Sequence, residues 1–183
     1  MKTIRILCAF ILILGIFTGP AFAKDLKGTL GVGFNSQFGS EDEDLDSISG
    51  KYWINNELAA QGLLGFKYSE EYDKLNMGGR VFFKIKDEEN LHVDAIAGLG
   101  FTRFDPDQGN TDTATWINAG IGIEYFFSGL PNLGFSTEVG LTFMDDDDGT
   151  TFGTTADSFV GAGIHYYFDF LTPSVKKPPQ ETE

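Results

Sequence analysis

The stretch that decides the fold is Asn118–Phe143, NAGIGIEYFFSGLPNLGFSTEVGLTF. In its first half every second residue is apolar: Ala119, Ile121, Ile123, Tyr125 and Phe127. Most of the residues between them are small or polar, and the last is aromatic: Asn118, Gly120, Gly122, Glu124 and Phe126. A period of two predicts a β-strand with one apolar face. A soluble barrel would turn that face inward, whereas a membrane-spanning barrel would turn it outward.

The same alternation recurs along most of the chain. It predicts eight strands, at about 28–36, 48–54, 58–68, 76–85, 91–101, 115–127, 133–143 and 158–168. Three predicted connections are short: Asn55–Asn56, Lys86–Asn90 and Ser128–Asn132. The other four are longer and polar: GSEDEDLDSI, SEEYDKL, TRFDPDQGNTDTAT and MDDDDGTTFGTTAD. Short turns at one end and long loops at the other are typical of a transmembrane barrel with periplasmic termini.

The composition of the polar face indicates which face is inside. This face carries glycines and a set of ionisable residues: Lys51, Lys67, Arg80, Lys84, His92, Asp94, Glu124, Glu138 and His165. An eight-stranded barrel has an interior that side chains just fill, so small and long residues together suit it. Acids and bases there can pair, as buried charges require. The fold class predicted is therefore an all-β, eight-stranded antiparallel up-and-down transmembrane barrel. A soluble periplasmic lipocalin-like barrel, with the apolar face lining a ligand cavity, is the alternative.

The first residues predict export. Lys2 and Arg5 precede an apolar run from Cys8 to Phe17, and Ala21-Phe22-Ala23 is a cleavage site of the A-x-A kind. Residues 1–23 are therefore predicted to be a secretory signal peptide, 24–170 the barrel and 171–183 a short periplasmic tail. The formal net charge of −14 excludes a nucleic-acid partner, which requires a basic face. Cleavage would remove the only cysteine, so disulfides and thiol chemistry are excluded too.

With these features the chain resembles the small eight-stranded outer-membrane barrels of Gram-negative bacteria, the OmpA-barrel and OmpX-like group. The segments that carry the resemblance are VDAIAGLGF (93–101), INAGIGIEYFF (117–127) and GAGIHYYF (161–168). It implies an outer-membrane location, with membrane lipid, lipopolysaccharide and the barrel-assembly machinery as partners. In such families the assembly machinery reads a final aromatic residue, which Phe168 matches. The sequence departs from the pattern by continuing past Phe168, and it names no partner for the loops.

The candidate catalytic residues favour a non-enzymatic barrel without a cofactor. His92 and Asp94 lie two apart on the inward face and can pair, but the sequence shows no nucleophile for them. His165 is followed by Tyr166 and Tyr167, so the His-x-Ser spacing of lipid A deacylase barrels is absent. A structural and surface-interaction role is predicted. A lipid A-modifying enzyme and a small pore are the alternatives.

Acidic residues dominate the predicted long loops. Asp145, Asp146, Asp147 and Asp148 form one run, and Glu41 to Asp44 with Asp46 form another. Such oxygen-rich clusters are weak candidates for Ca²⁺, or for divalent ions that bridge to lipopolysaccharide phosphates. The run at 145–149 does not match an EF-hand, because its glycine comes fifth and the closing glutamate is missing. The favoured interpretation is a solvated acidic rim without bound metal.

Overall fold

The structure, a computed structural model, describes residues 25–37, 47–108, 110–146, 149–154 and 161–169. The predicted signal peptide, the 171–183 tail and the acidic run 41–46 lie outside these residues. The strands are β1 (Thr29–Gln37), β2 (Ser47–Trp53), β3 (Leu58–Tyr68), β4 (Tyr72–Asp87), β5 (Leu91–Pro106), β6 (Asp112–Phe127), β7 (Leu130–Asp146), β8 (Gly149–Thr154) and β9 (Gly161–Asp169). No helix among the described residues is long and apolar enough to cross a membrane.

Antiparallel pairing between sequence neighbours closes the sheet into a barrel. Each strand from β1 to β7 pairs with the next, and β9 pairs with both β7 and β1. Both β8 and β9 pair with β7: β8 pairs with residues 141–146 and β9 with residues 133–138. The two short strands therefore share one position in the barrel, which has eight strand positions in all. Thr29 pairs with Asp169, so the first strand begins where the last one ends. The predicted fold class, an eight-stranded antiparallel up-and-down barrel, is confirmed.

The apolar face points outward. Large apolar side chains on that face are widely exposed, with Leu99 67% and Ile117 63% exposed. The opposite face is buried and largely polar or charged. A lipocalin-like barrel requires the reverse arrangement, so this alternative is wrong. In the segment 118–127 the predicted outward face is confirmed, because Ile121, Ile123 and Phe127 are exposed and Glu124 is buried.

The strands run further than their apolar residues. The apolar alternation predicts that β4 begins near residue 76 and that β5 ends near 101, but backbone pairing continues to Tyr72 and Pro106. The predicted SEEYDKL loop is consequently only residues 69–71, and the predicted two-residue turn at Asn55–Asn56 is a four-residue connection, 54–57. Backbone hydrogen bonds extend a strand whatever side chains it carries. The end of apolar alternation therefore marks the end of the apolar belt and not of the strand.

An apolar plug closes the interior near the short-turn end. Leu26, just before β1, is fully buried and packs in one cluster with Trp53, Phe82 and Phe126. The backbone turns sharply between Leu26 and β1: Gly28 has φ 76°, which favours glycine, and its N–H donates to Trp53 O at 2.8 Å. Leu26 thus helps to fill the barrel at its short-turn end.

Candidate functional site in the barrel interior

The most enclosed ionic group centres on Glu124 of β6. Its Oε2 lies 2.8 Å from Lys51 Nζ, and its Oε1 accepts a hydrogen bond of 2.7 Å from the Tyr167 hydroxyl. The Lys51 ammonium also lies 4.0 Å from the centre of the Phe82 ring and 5.1 Å from that of Trp53. An ammonium held by a carboxylate and by ring faces is satisfied without water. Strands β2, β6 and β9 therefore meet in one buried contact.

His92 and Asp94 of β5 join this group from the neighbouring strand. His92 Nε2 lies 3.1 Å from Glu124 Oε2 and 3.5 Å from Asp94 Oδ2. One imidazole and two carboxylates, all buried, could ligate a metal ion. Lys51 Nζ, however, lies 2.8 Å from Glu124 Oε2 and 3.8 Å from Asp94 Oδ2. The lysine therefore supplies the positive charge that a metal would otherwise bring to these carboxylates.

A second ion pair lies across the barrel. Arg80 NH1 is 2.6 Å from Glu138 Oε2, and Asn35 Nδ2 donates to Glu138 Oε1 at 3.3 Å. All three side chains are buried. Glycine makes room for the arginine, because a Cβ at Gly98 would come within 2.6 Å of Arg80 Cγ. A small cavity beside this pair is lined by Arg80, Glu138 and Asn118.

A serine–histidine contact that the sequence analysis missed lies between β2 and β9. Ser49 Oγ is 2.6 Å from His165 Nε2, and Gln61 Nε2 is 3.2 Å from the same ring nitrogen. A nucleophilic serine also needs an acid that orients the histidine through its other nitrogen. His165 Nδ1 has no hydrogen-bond partner among the described residues, and both side chains are buried. The contact is therefore a buried hydrogen bond without the third member of a triad.

Two of the predicted interior lysines differ in their surroundings. Lys84 is buried, with Nζ 3.0 Å from Asp87 Oδ2 and 4.9 Å from the Trp53 ring centre. Lys67 has the inward parity of β3 but is exposed, and it donates to the Tyr72 hydroxyl. Its placement in the interior was wrong because β3 continues past the enclosed part of the barrel, where inward-pointing side chains reach the open mouth.

Asp145 and Asp146, the two acids of the run 145–148 that the structure describes, bond within their own hairpin. Asp145 Oδ1 accepts from Thr150 Oγ1 at 2.7 Å, and Asp146 Oδ1 accepts from Gly149 N at 2.9 Å. These bonds span the hairpin between β7 and β8 and give the two aspartates a local structural role. Asp147 and Asp148 lie outside the described residues. Phe168, the predicted assembly aromatic, is half exposed on the outward face of β9, opposite Leu30.

Comparison with known proteins identifies the fold. No protein-family profile and no curated protein matches the sequence. Among solved structures, the N-terminal β-barrel domain of Pseudomonas aeruginosa OprF matches with a TM-score of 0.57 and 15% identity, covering 79% of this chain and 100% of that domain. This is the fold of the small eight-stranded outer-membrane barrels.

Two further structures match less closely. The Yersinia pestis attachment invasion locus protein Ail has a TM-score of 0.39 and 18% identity, covering 76% of this chain and 95% of Ail. The designed barrel TMB2.3 has a TM-score of 0.43 and 17% identity, with 80% and 96% covered. At 15% identity, the similarity to the OprF barrel domain establishes the barrel fold alone.

Proposed function

We propose that this chain is a non-enzymatic outer-membrane barrel with a structural and surface-interaction role. The observation that carries the proposal is the inverted arrangement of the barrel wall, in which exposed apolar side chains surround a buried ionic interior. Water would destabilise such an outer surface, whereas the hydrocarbon of a bilayer matches it. The similarity of the fold to the OprF barrel domain supports the same location.

Aromatic side chains support a fixed position in the bilayer. Near the short-turn end, the outward face carries Tyr52, Phe83, Tyr125, Phe127, Phe135, Tyr166 and Phe168. Towards the other end, it carries Phe34, Phe66, Tyr68, Phe101, Phe143 and Phe152. Two such bands are expected at the two interfaces of a membrane. The strand extensions and acidic hairpins beyond the second band then project from the cell.

The interior favours a filled barrel over the two alternatives. Ion pairs, hydrogen bonds and the apolar plug occupy the space that a pore would need. Among the described residues the Ser49–His165 contact has no orienting acid, and both side chains are enclosed, which disfavours a lipid-modifying enzyme. We infer that the interior residues stabilise the barrel while the projecting hairpins meet external partners.

Single cysteines can test this topology cleanly, because the only cysteine lies in the predicted signal peptide. We expect Asp107→Cys, between β5 and β6, to react with a membrane-impermeant maleimide on intact cells. Asn56→Cys, in the connection at the opposite end, should react only after the outer membrane is permeabilised. Both residues are exposed, so accessibility of the side chain itself is matched. Labelling of both cysteines on intact cells, or of neither, would contradict the proposed orientation.

A further inference from the structure

The guanidinium of Arg80 has hydrogen-bond donors that its ion pair does not use. NH1 lies 2.6 Å from Glu138 Oε2, whereas Nε and NH2 are buried and have no hydrogen-bond partner among the described residues. Only 1% of the Arg80 side chain is exposed, so bulk water does not reach these two nitrogens. Buried polar groups of folded proteins nearly always have a partner. The two nitrogens therefore require an acceptor.

An oxygen atom that requires a donor lies beside Arg80. Asn118 is 7% exposed, and its Oδ1 is buried without a hydrogen-bond partner in the described part of the chain. A Cβ at Gly98 would lie 2.6 Å from Arg80 Cγ and 2.7 Å from Asn118 Oδ1, so both side chains cover this glycine. Although they are neighbours, Arg80 Nε and NH2 form no hydrogen bond with that oxygen. A molecule that bridges them must accept from the arginine and donate to the asparagine.

The space for such a molecule is small. Arg80 and Asn118 both line a cavity of about 10 Å³, together with Glu138, Ile96 and Gly120. One water molecule requires a cavity of roughly 10–15 Å³ and two to four polar partners. The volume and the polar lining therefore match one water and exclude a larger ligand.

We propose that this cavity binds one structural water molecule. The water accepts a hydrogen bond from Arg80 Nε or NH2 and donates one to Asn118 Oδ1. It thereby connects the Arg80–Glu138 pair, which joins β4 to β7, with Asn118 on β6. The proposal depends on the closed barrel and not on the proposed membrane location.

The charges around the cavity favour water over an ion. The Glu138 carboxylate already balances the charge of Arg80, and no other charged residue of the described chain lines the cavity. An anion would lie beside that carboxylate, and a cation would lie against the donors of the guanidinium. A buried ion without a counter-charge is strongly unfavourable. Water is neutral and both donates and accepts, as the two groups require.

The Nε–H proton of Arg80 reports directly on this site. Residues 24–183 contain only one other arginine, Arg103, whose side chain is 53% exposed. Protein that carries isotope-labelled arginine therefore gives two Nε–H signals, which the variant Arg103→Lys assigns. In a rotating-frame NOE spectrum, contact with a bound water and chemical exchange with bulk water have opposite signs. We expect Arg80 to show a contact peak at the water frequency and Arg103 to show exchange only.

A matched pair of variants tests the second partner of the water. Asn118→Leu removes the oxygen and fills the cavity, so we expect it to abolish the contact peak of Arg80. Ala97→Leu adds the same side chain on the exposed face of β5, away from the cavity lining, and should leave the peak unchanged. Both variants are compared as folded barrels that resist detergent when cold. A peak that persists in Asn118→Leu, or no peak in the unaltered protein, would overturn the proposal.

A crystal structure of the unaltered protein tests the site without any variant. We expect one density peak within about 2.7–3.2 Å of both an Arg80 donor and Asn118 Oδ1. A direct hydrogen bond between the two side chains would overturn the proposal. An anomalous signal at the cavity after soaking in bromide would also overturn it, because the occupant would then be an anion.

Discussion

Lys51 Nζ lies 2.8 Å from Glu124 Oε2, and both side chains are at least 98% buried. The two residues belong to β2 and β6, which are four strands apart around the barrel. The contact therefore crosses the interior and does not follow the hydrogen-bonded wall. It joins opposite sides of the barrel. The positive charge of Lys51 also lies beside the second buried carboxylate, that of Asp94, at 3.8 Å.

Removing the lysine should destabilise the barrel strongly. Lys51→Met leaves Glu124 and Asp94 buried without their cation, which costs roughly 3–5 kcal/mol. The matched control is Lys86→Met, since Lys86 is 65% exposed and its pair with Glu88 lies at the surface. An exposed pair contributes about 1 kcal/mol or less. Urea unfolding in lipid vesicles measures both, and equal midpoint changes would contradict the assigned interior.

The Arg80–Glu138 pair should show strong coupling. We expect Arg80→Ala to cost roughly 3 kcal/mol or more, because Glu138 then keeps a buried charge without a partner. Replacing both residues, as Arg80→Met with Glu138→Leu, should recover much of that loss. A double-mutant cycle from unfolding midpoints gives the coupling energy. Additive effects of the two single changes would show that the residues do not interact.

Glycines on the two faces should respond oppositely to the same substitution. A Cβ at Gly78 would come within 2.5 Å of the buried Trp116 ring, whereas one at Gly62 meets nothing within 4 Å. We expect Gly78→Val to destabilise by about 1–3 kcal/mol through overpacking. Gly62→Val should leave the midpoint equal or higher. If Gly62→Val were the more damaging change, the inward and outward assignments on β3 and β4 would be reversed.

The Ser49–His165 contact should be chemically inert. Because His165 Nδ1 has no acid partner among the described residues and Ser49 is buried, we expect no reaction with a fluorophosphonate probe. A serine hydrolase added to the same sample serves as the positive control. Labelling that disappears in Ser49→Ala would instead identify an active serine and overturn the non-enzymatic assignment.

The filled interior should prevent steady conduction. We expect the protein to give no stable channel in a planar bilayer, because Leu26, Trp53, Phe82 and Phe126 occupy the short-turn end. The variant Leu26→Ala with Trp53→Ala removes much of that plug and serves as the comparison. A constant open channel in the unaltered protein would favour the small-pore alternative.

The two faces of the barrel were predictable from sequence, whereas the contacts between strands were not. Alternation alone places Lys51, Arg80 and Glu124 on one face, because side chains alternate with a period of two. It does not say which of them meet, since the pairs depend on strand register and on distance across the barrel. Glu124 could have met Arg80 by charge alone, but the structure brings it to Lys51 and Tyr167.

Small polar residues were missed for a related reason. Ser49 lies between Ile48 and Gly50 and carries no charge, so nothing in the sequence marks it as the partner of His165, which is 116 residues away. Leu26 was missed because it precedes the first alternating segment. Its burial depends on a turn at Gly28 that directs the Leu26 side chain into the barrel interior.

The measurement that tests the central claim most directly is gel migration of the outer-membrane fraction, boiled against unboiled. A closed transmembrane barrel resists detergent when cold, so we predict a single species in that fraction whose migration shifts on boiling. A protein found in the soluble periplasm, with identical migration before and after boiling, would contradict the account.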